Sequence, residues 1–239
     1  MFSDPAASPL PARWWWGFAP YVLVSIVQVW ACFVGDDAIA RPTKLLLMPL
    51  LAAGVLWGGR GSRWGATYSL LILAIALSWL GDGAATFFPF APELPMMLLC
   101  FGLAHLAYIW LFARRLAVRR LPRWSVVYVA WWVAMIAVLW PTLGALAVGV
   151  AVYGIVLAGT AASASRCHPV IAWGGAFFLA SDTVLAFRLF TPDAMPVWTS
   201  GVVMLTYCLG QGLIAAGAVL ADRRLPARAQ PRAAQAAAQ

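Results

Sequence analysis

The chain has 239 residues, of which 64% are hydrophobic and only 10% charged, and its mean hydropathy is +0.85. A soluble domain carries about 25% charged residues, so this composition excludes a soluble fold and defines an all-α polytopic membrane protein. The net charge of +8 does not point to nucleic acid, because the arginines stand between apolar stretches and read as topology signals.

A spanning helix needs about 20 mostly apolar residues. In chain order, a short N-terminal segment (1–15) leads into a first span at 16–34. Ala38-Ile39-Ala40 looks like a signal-cleavage site, but the apolar run is long and Asp36-Asp37 precede it directly, so a retained helix is expected. The second span, at 42–57, is short and ends at Gly58-Gly59. The third covers 64–81 and the fourth 94–112, with Pro89 and Pro92 between them. After a basic stretch ending near Pro122, the fifth and sixth cover 124–140 and 142–161, and Pro141 marks a tight turn. The seventh and eighth cover 168–190 and 196–220, and 221–239 reads as a disordered, Ala/Arg/Gln/Pro-rich tail. The sum is a bundle of about eight transmembrane helices, without an internal repeat.

Charge alternates between the connections. Residues 113–123 hold Arg114, Arg115, Arg119, Arg120 and Arg123 without an acid. Arg60, Arg63, Arg166 and the tail residues Arg223, Arg224, Arg228 and Arg232 fall on the same side. Asp36, Asp37, Arg41, Glu93, Arg188 and Asp193 fall on the other. The positive-inside rule therefore places both termini in the cytoplasm. Cys32, Cys100, Cys167 and Cys208 form no CxxC, and His105 and His168 are the only histidines, so neither a disulfide framework nor a metal site is expected.

Five of the spans carry an unusual set of polar residues. An aspartate at the centre of a membrane helix costs roughly 2.5–3.5 kcal/mol to insert, yet Asp182 interrupts "FFLASDTVLAF" (177–187). By helical rise, Asp182 lies roughly 12 Å and His105 roughly 16 Å from the outer side. Lys44 and Asp82 lie near the outer ends of their spans, and Gln211 lies deeper. Ser78 and Asp82, His105 and Tyr108, and Tyr207 and Gln211 share helix faces at spacings of three or four. All can face one cavity in the outer half of the bilayer. The structural alternative is an Asp182–Lys44 ion pair, with His105, Tyr207 and Gln211 as interhelical hydrogen bonds.

The ordered motifs "RPTKLLLMPLLA" (41–52), "SWLGDG" (78–83), "GLAHLAY" (102–108), "GAFFLASDTVLAFRLF" (175–190) and "TYCLGQGLIAAG" (206–217) resemble the YhhN, or lysoplasmalogenase, family over residues 18–220. The resemblance implies hydrolysis of a lysoplasmalogen vinyl ether to a fatty aldehyde and glycerophosphocholine or glycerophosphoethanolamine. It maps the expected catalytic pair onto Asp82 and Asp182 and the "PTK" lysine onto Lys44. Substrate contacts are expected from Lys44, Ser78, His105, Tyr108, Tyr207 and Gln211.

The residues fit that chemistry. A vinyl ether resists nucleophiles but is cleaved by acid through an oxocarbenium ion, so two carboxyl groups in different states suffice, as in glycosidases. Depth assigns Asp182, out of water, as the acid and Asp82, near the surface, as the ionised partner; the reverse remains open. Lys44 would bind the lipid phosphate or tune the acids. No cofactor is needed, and the expected partners are a lysophospholipid and the surrounding membrane lipids, in a bacterial inner membrane; oligomeric state is unassigned. Two alternatives stand beside this one. A transporter or lipid-binding protein would use Lys44, Asp82 and Asp182 to hold ions or protons. An intramembrane aspartyl protease fits less well, because Trp79-Leu80-Gly81-Asp82 lacks the first glycine of GxGD.

Overall fold

The computed structural model describes residues 13–62 and 65–224. Most of the N-terminal segment, most of the tail, and Arg63, Arg228 and Arg232 lie outside them. The described residues form helices and connecting turns, without a strand. Eight helices carry the fold: α1 (Ala19–Val34), α2 (Asp37–Gly58), α3 (Ala66–Asp82), α4 (Glu93–Leu111), α5 (Val127–Leu143), α6 (Ala147–Ala164), α7 (Pro169–Phe190) and α8 (Thr199–Arg224). Most are long and apolar enough to cross a membrane; α3 is shorter. Exposed tryptophans collect at both ends, Trp57, Trp110 and Trp173 at one and Trp30, Trp140 and Trp198 at the other, as in the aromatic belts of membrane proteins. The protein is therefore an integral membrane protein.

Several boundaries differ from the sequence reading for local reasons. The second span starts at Asp37 rather than 42, because the Asp36 side chain accepts from the backbone N–H groups of Ala38 and Ile39 and starts the helix early. Gly35, with φ of +74°, makes the αL turn that reverses the chain into it. Pro141 is not the turn between the fifth and sixth spans but lies inside α5. The reversal falls at Gly144, whose φ of +52° a side chain would disfavour. The last helix continues to Arg224, so four residues read as tail are helical.

Seven helices close a ring in the order α1, α2, α3, α4, α6, α7, α8, and α8 returns to α1. Helix α5 sits outside, against α6 and α7. Helix α8 is the most buried and the α5–α6 hairpin the least. The closest crossing joins α7 and α8. A Cβ on Gly210 would lie 2.9 Å from the Phe178 backbone nitrogen, and one on Gly174 would lie 2.9 Å from that of Ile214. Small residues at such a crossing let backbones meet, and dispersion then replaces the hydrophobic drive that lipid lacks. The glycines singled out by sequence behave differently: Gly149 faces open space, and Gly154 and Gly159 lie under Trp132 and Ile109 side chains.

Candidate active site

A cavity of about 430 Å³ opens between the helices at the end where α2 begins and α7 finishes. Apolar side chains make most of its wall, among them Phe101, Trp131, Met135, Leu157 and Met204. Its charged lining consists of Asp37, Arg41, Lys44, Asp82, Asp182 and Arg188. An apolar cleft with a few convergent polar groups is the usual form of a small-molecule site.

Asp82 ends α3, and two helices supply its partners. Tyr207 of α8 donates its hydroxyl to Oδ2 at 2.6 Å, and Lys44 Nζ of α2 lies 3.5 Å from Oδ1. The Lys44 register is held by Trp79, whose Nε1 donates to the Leu45 carbonyl at 2.9 Å. A Cβ on Gly81 would meet the Phe101 ring at 2.6 Å, so this glycine lets α4 close against the carboxylate. The sequence reading set Asp82 near the surface. The structure covers it: its side chain is 3% exposed, against 10% for Asp182. Depth along a helix says nothing of the neighbours that roof its end, so exposure does not separate the two acids.

Their partners do separate them. Asp182 has no lysine or arginine within ion-pair distance among the described residues. Its Oδ2 accepts a short hydrogen bond from the Tyr153 hydroxyl of α6. His105 of α4 lies behind, its Nε2 3.3 Å from that hydroxyl and 3.8 Å from Oδ2. His105 is fully buried, and its Nδ1 has no hydrogen-bond partner. Of its two ring nitrogens, Nε2 is the one that faces hydrogen-bonding groups, the Tyr153 hydroxyl first. Asp182 Oδ1 makes no protein hydrogen bond among the described residues and belongs to the side chain that lines the cavity. Ser181 anchors this turn of α7 by donating to the Val203 carbonyl of α8 at 2.9 Å.

The remaining residues singled out by sequence form a supporting layer. Tyr108 donates to Gln211 Oε1 at 2.6 Å, and Gln211 Nε2 donates to Ser78 Oγ at 3.1 Å and reaches the Tyr207 hydroxyl at 3.5 Å. Ser78, His105, Tyr108 and Gln211 are all essentially inaccessible and do not line the cavity. They orient Tyr207 and Tyr153, and those hydroxyls hold the carboxylates. Lys44 pairs with Asp82, not with Asp182 as the structural alternative had it. Sequence reasoning missed Tyr153. Its one signal was a hydroxyl well inside an otherwise apolar span. Gln28, which lines the cavity and accepts from Thr43 Oγ1, was also missed.

Fold and site together define a polytopic α-helical membrane protein with a two-carboxylate cavity open at one end of its bundle. The chain belongs to the YhhN family, whose pattern matches residues 39–218. That match takes in every residue of both aspartate clusters. No curated protein and no solved structure gives a significant match.

Proposed function

We propose that the protein is a lysoplasmalogenase-like ether hydrolase, using Asp182 as general acid and Asp82 as its ionised partner. The observation that carries this reading is the pairing of two largely enclosed carboxyl groups in one apolar cavity, one beside a lysine and the other held by a tyrosine hydroxyl. Lys44 supplies the counter-charge that an anionic partner needs, whereas Asp182 keeps one oxygen without a protein hydrogen bond among the described residues, on a side chain that lines the cavity and can reach a substrate. Membership of the YhhN family agrees with the reading.

Asp182 Oδ1 protonates the β-carbon of the vinyl ether, and the double bond's electron pair moves to form an oxocarbenium ion. The Asp82 carboxylate stabilises that cation. Water adds to the cationic carbon and passes a proton to Asp82, giving a hemiacetal. The hemiacetal hydroxyl returns a proton to Asp182 as the carbon–oxygen bond breaks, and the glycerol oxygen leaves with the proton held by Asp82. The products are a fatty aldehyde and a glycerophospho-alcohol, and both carboxyl groups are restored. Arginine-rich connections facing the cytoplasm turn the cavity mouth toward the outer half of the bilayer, in a bacterial inner membrane.

Detergent-purified protein incubated with a vinyl-ether lysolipid tests this reading. It should release aldehyde, and in D₂O it should place deuterium on the carbon next to the aldehyde carbonyl. Absence of aldehyde from folded protein would overturn it in favour of an ion- or lipid-binding role.

A further inference from the structure

We infer that Arg188, rather than Lys44, binds the phosphodiester of the lysolipid; the inference deepens the proposed function and rests on it for the substrate class. Three cations line the cavity. Arg41 Nη2 lies 3.4 Å from Asp37 Oδ2, and Lys44 lies 3.5 Å from Asp82. Arg188 has no carboxylate within ion-pair distance among the described residues. Of the cations that line the cavity, Arg188 is thus the one without a carboxylate partner among the described residues, and a phosphodiester monoanion supplies that counter-charge.

The geometry of the guanidinium agrees. Arg188 lies in the last turn of α7 and is partly buried. Its Nη1 donates to the Pro196 carbonyl at 3.2 Å and to Thr199 Oγ1 at 2.5 Å. Those bonds occupy one nitrogen and fix the plane. The edge formed by Nε and Nη2 has no protein partner among the described residues, and such an edge matches two phosphate oxygens. The spacing also fits. Asp182 and Arg188 are six residues apart on one helix, roughly 9 Å of rise. From the vinyl β-carbon to phosphorus a lysoplasmalogen has seven bonds, roughly 8–9 Å when extended at ordinary backbone-like bond lengths. A substrate with its phosphate on Arg188 thus sets its β-carbon level with Asp182.

Binding of two uncleavable probes tests this without any turnover. One is a saturated-ether lysophosphocholine; the other is the same alkyl glycerol without phosphate. Calorimetry on wild-type protein should show preference for the phosphorylated probe. Arg188→Gln should weaken that probe about 10- to 100-fold, the effect of losing hydrogen bonds to a charged group, and leave the alkyl glycerol unchanged, which also reports folding. Arg188→Lys should restore part of the preference and Lys44→Met should retain it. Thr199→Val, which loses an anchor but not the charge, should keep most of it. Full preference in Arg188→Gln, or an equal loss in Thr199→Val, would overturn the inference. So would wild-type protein indifferent to the phosphate, or displacement of the probe by equimolar inorganic phosphate, which would make Arg188 a free-anion site. Aldehyde release fails or succeeds separately: loss of the reaction with the binding preference intact would sink the hydrolase reading alone.

Discussion

Lys44 Nζ sits 3.5 Å from Asp82 Oδ1, and the carboxylate is almost fully enclosed while the lysine is about one-third exposed. An ammonium in that position neutralises a charge that the bundle would otherwise have to bury alone. Lys44→Met should therefore act on chemistry more than on substrate capture. We expect kcat to fall by roughly 10²-fold, the scale of losing one preorganised electrostatic partner, with KM nearly unchanged. A rise in KM at constant kcat would mark uniform substrate binding instead.

Asp182→Asn keeps the shape and the hydrogen bond from Tyr153 but removes the acid. General acid catalysis contributes about 10²–10⁴-fold, and vinyl ether protonation should show at least the upper part of that range. Adding Asp82→Asn should cost little more, because groups acting as a unit are not additive. Aldehyde release near the wild-type rate by folded Asp182→Asn protein would remove this residue from the mechanism.

Tyr153→Phe removes the hydroxyl that bonds Asp182 Oδ2 and faces His105 Nε2. The ring and its packing against His105 remain. We expect kcat to drop about 10-fold, the lower end for a hydrogen bond to an acidic group, while binding of the uncleavable ether lysolipid is preserved. A fall in binding with kcat intact would show that Tyr153 shapes the cavity rather than orients the acid.

Gly210→Ala tests the α7–α8 crossing. The new methyl group would meet backbone atoms of Phe178, which cannot rotate away. A cost of about 1–3 kcal/mol is expected, read as a lower midpoint of thermal or denaturant unfolding in detergent. Gly149→Ala, in open space, should leave the midpoint in place or raise it slightly.

Orientation can be read with a cysteine at Arg120, which is exposed in the basic connection. The four native cysteines are buried, so background labelling should be low. In intact cells a membrane-impermeant thiol reagent should leave Arg120→Cys unlabelled and react after permeabilisation. Labelling without permeabilisation would reverse the topology and turn the cavity mouth toward the cytoplasm.

The sequence by itself determined the membrane class, the eight spans and the identity of both carboxyl residues. Those features are one-dimensional: a run of apolar residues must be helical in lipid because its backbone has no other partner, and an aspartate within such a run stands out by its cost. Helical spacing also placed Tyr207 with Gln211, whose contact the structure shows at 3.5 Å. Only the tertiary structure decided which polar residues reach the cavity. Spacing gives the angle of a side chain about its own helix, not the distance to the next one, so Ser78, Tyr108 and Gln211 looked like site residues although they lie behind the wall. For the same reason Tyr153 passed as one more aromatic and Arg188 as a loop charge. Their partners, Asp182 across the α6–α7 interface and Thr199 across the turn into α8, exist only once the helices have met.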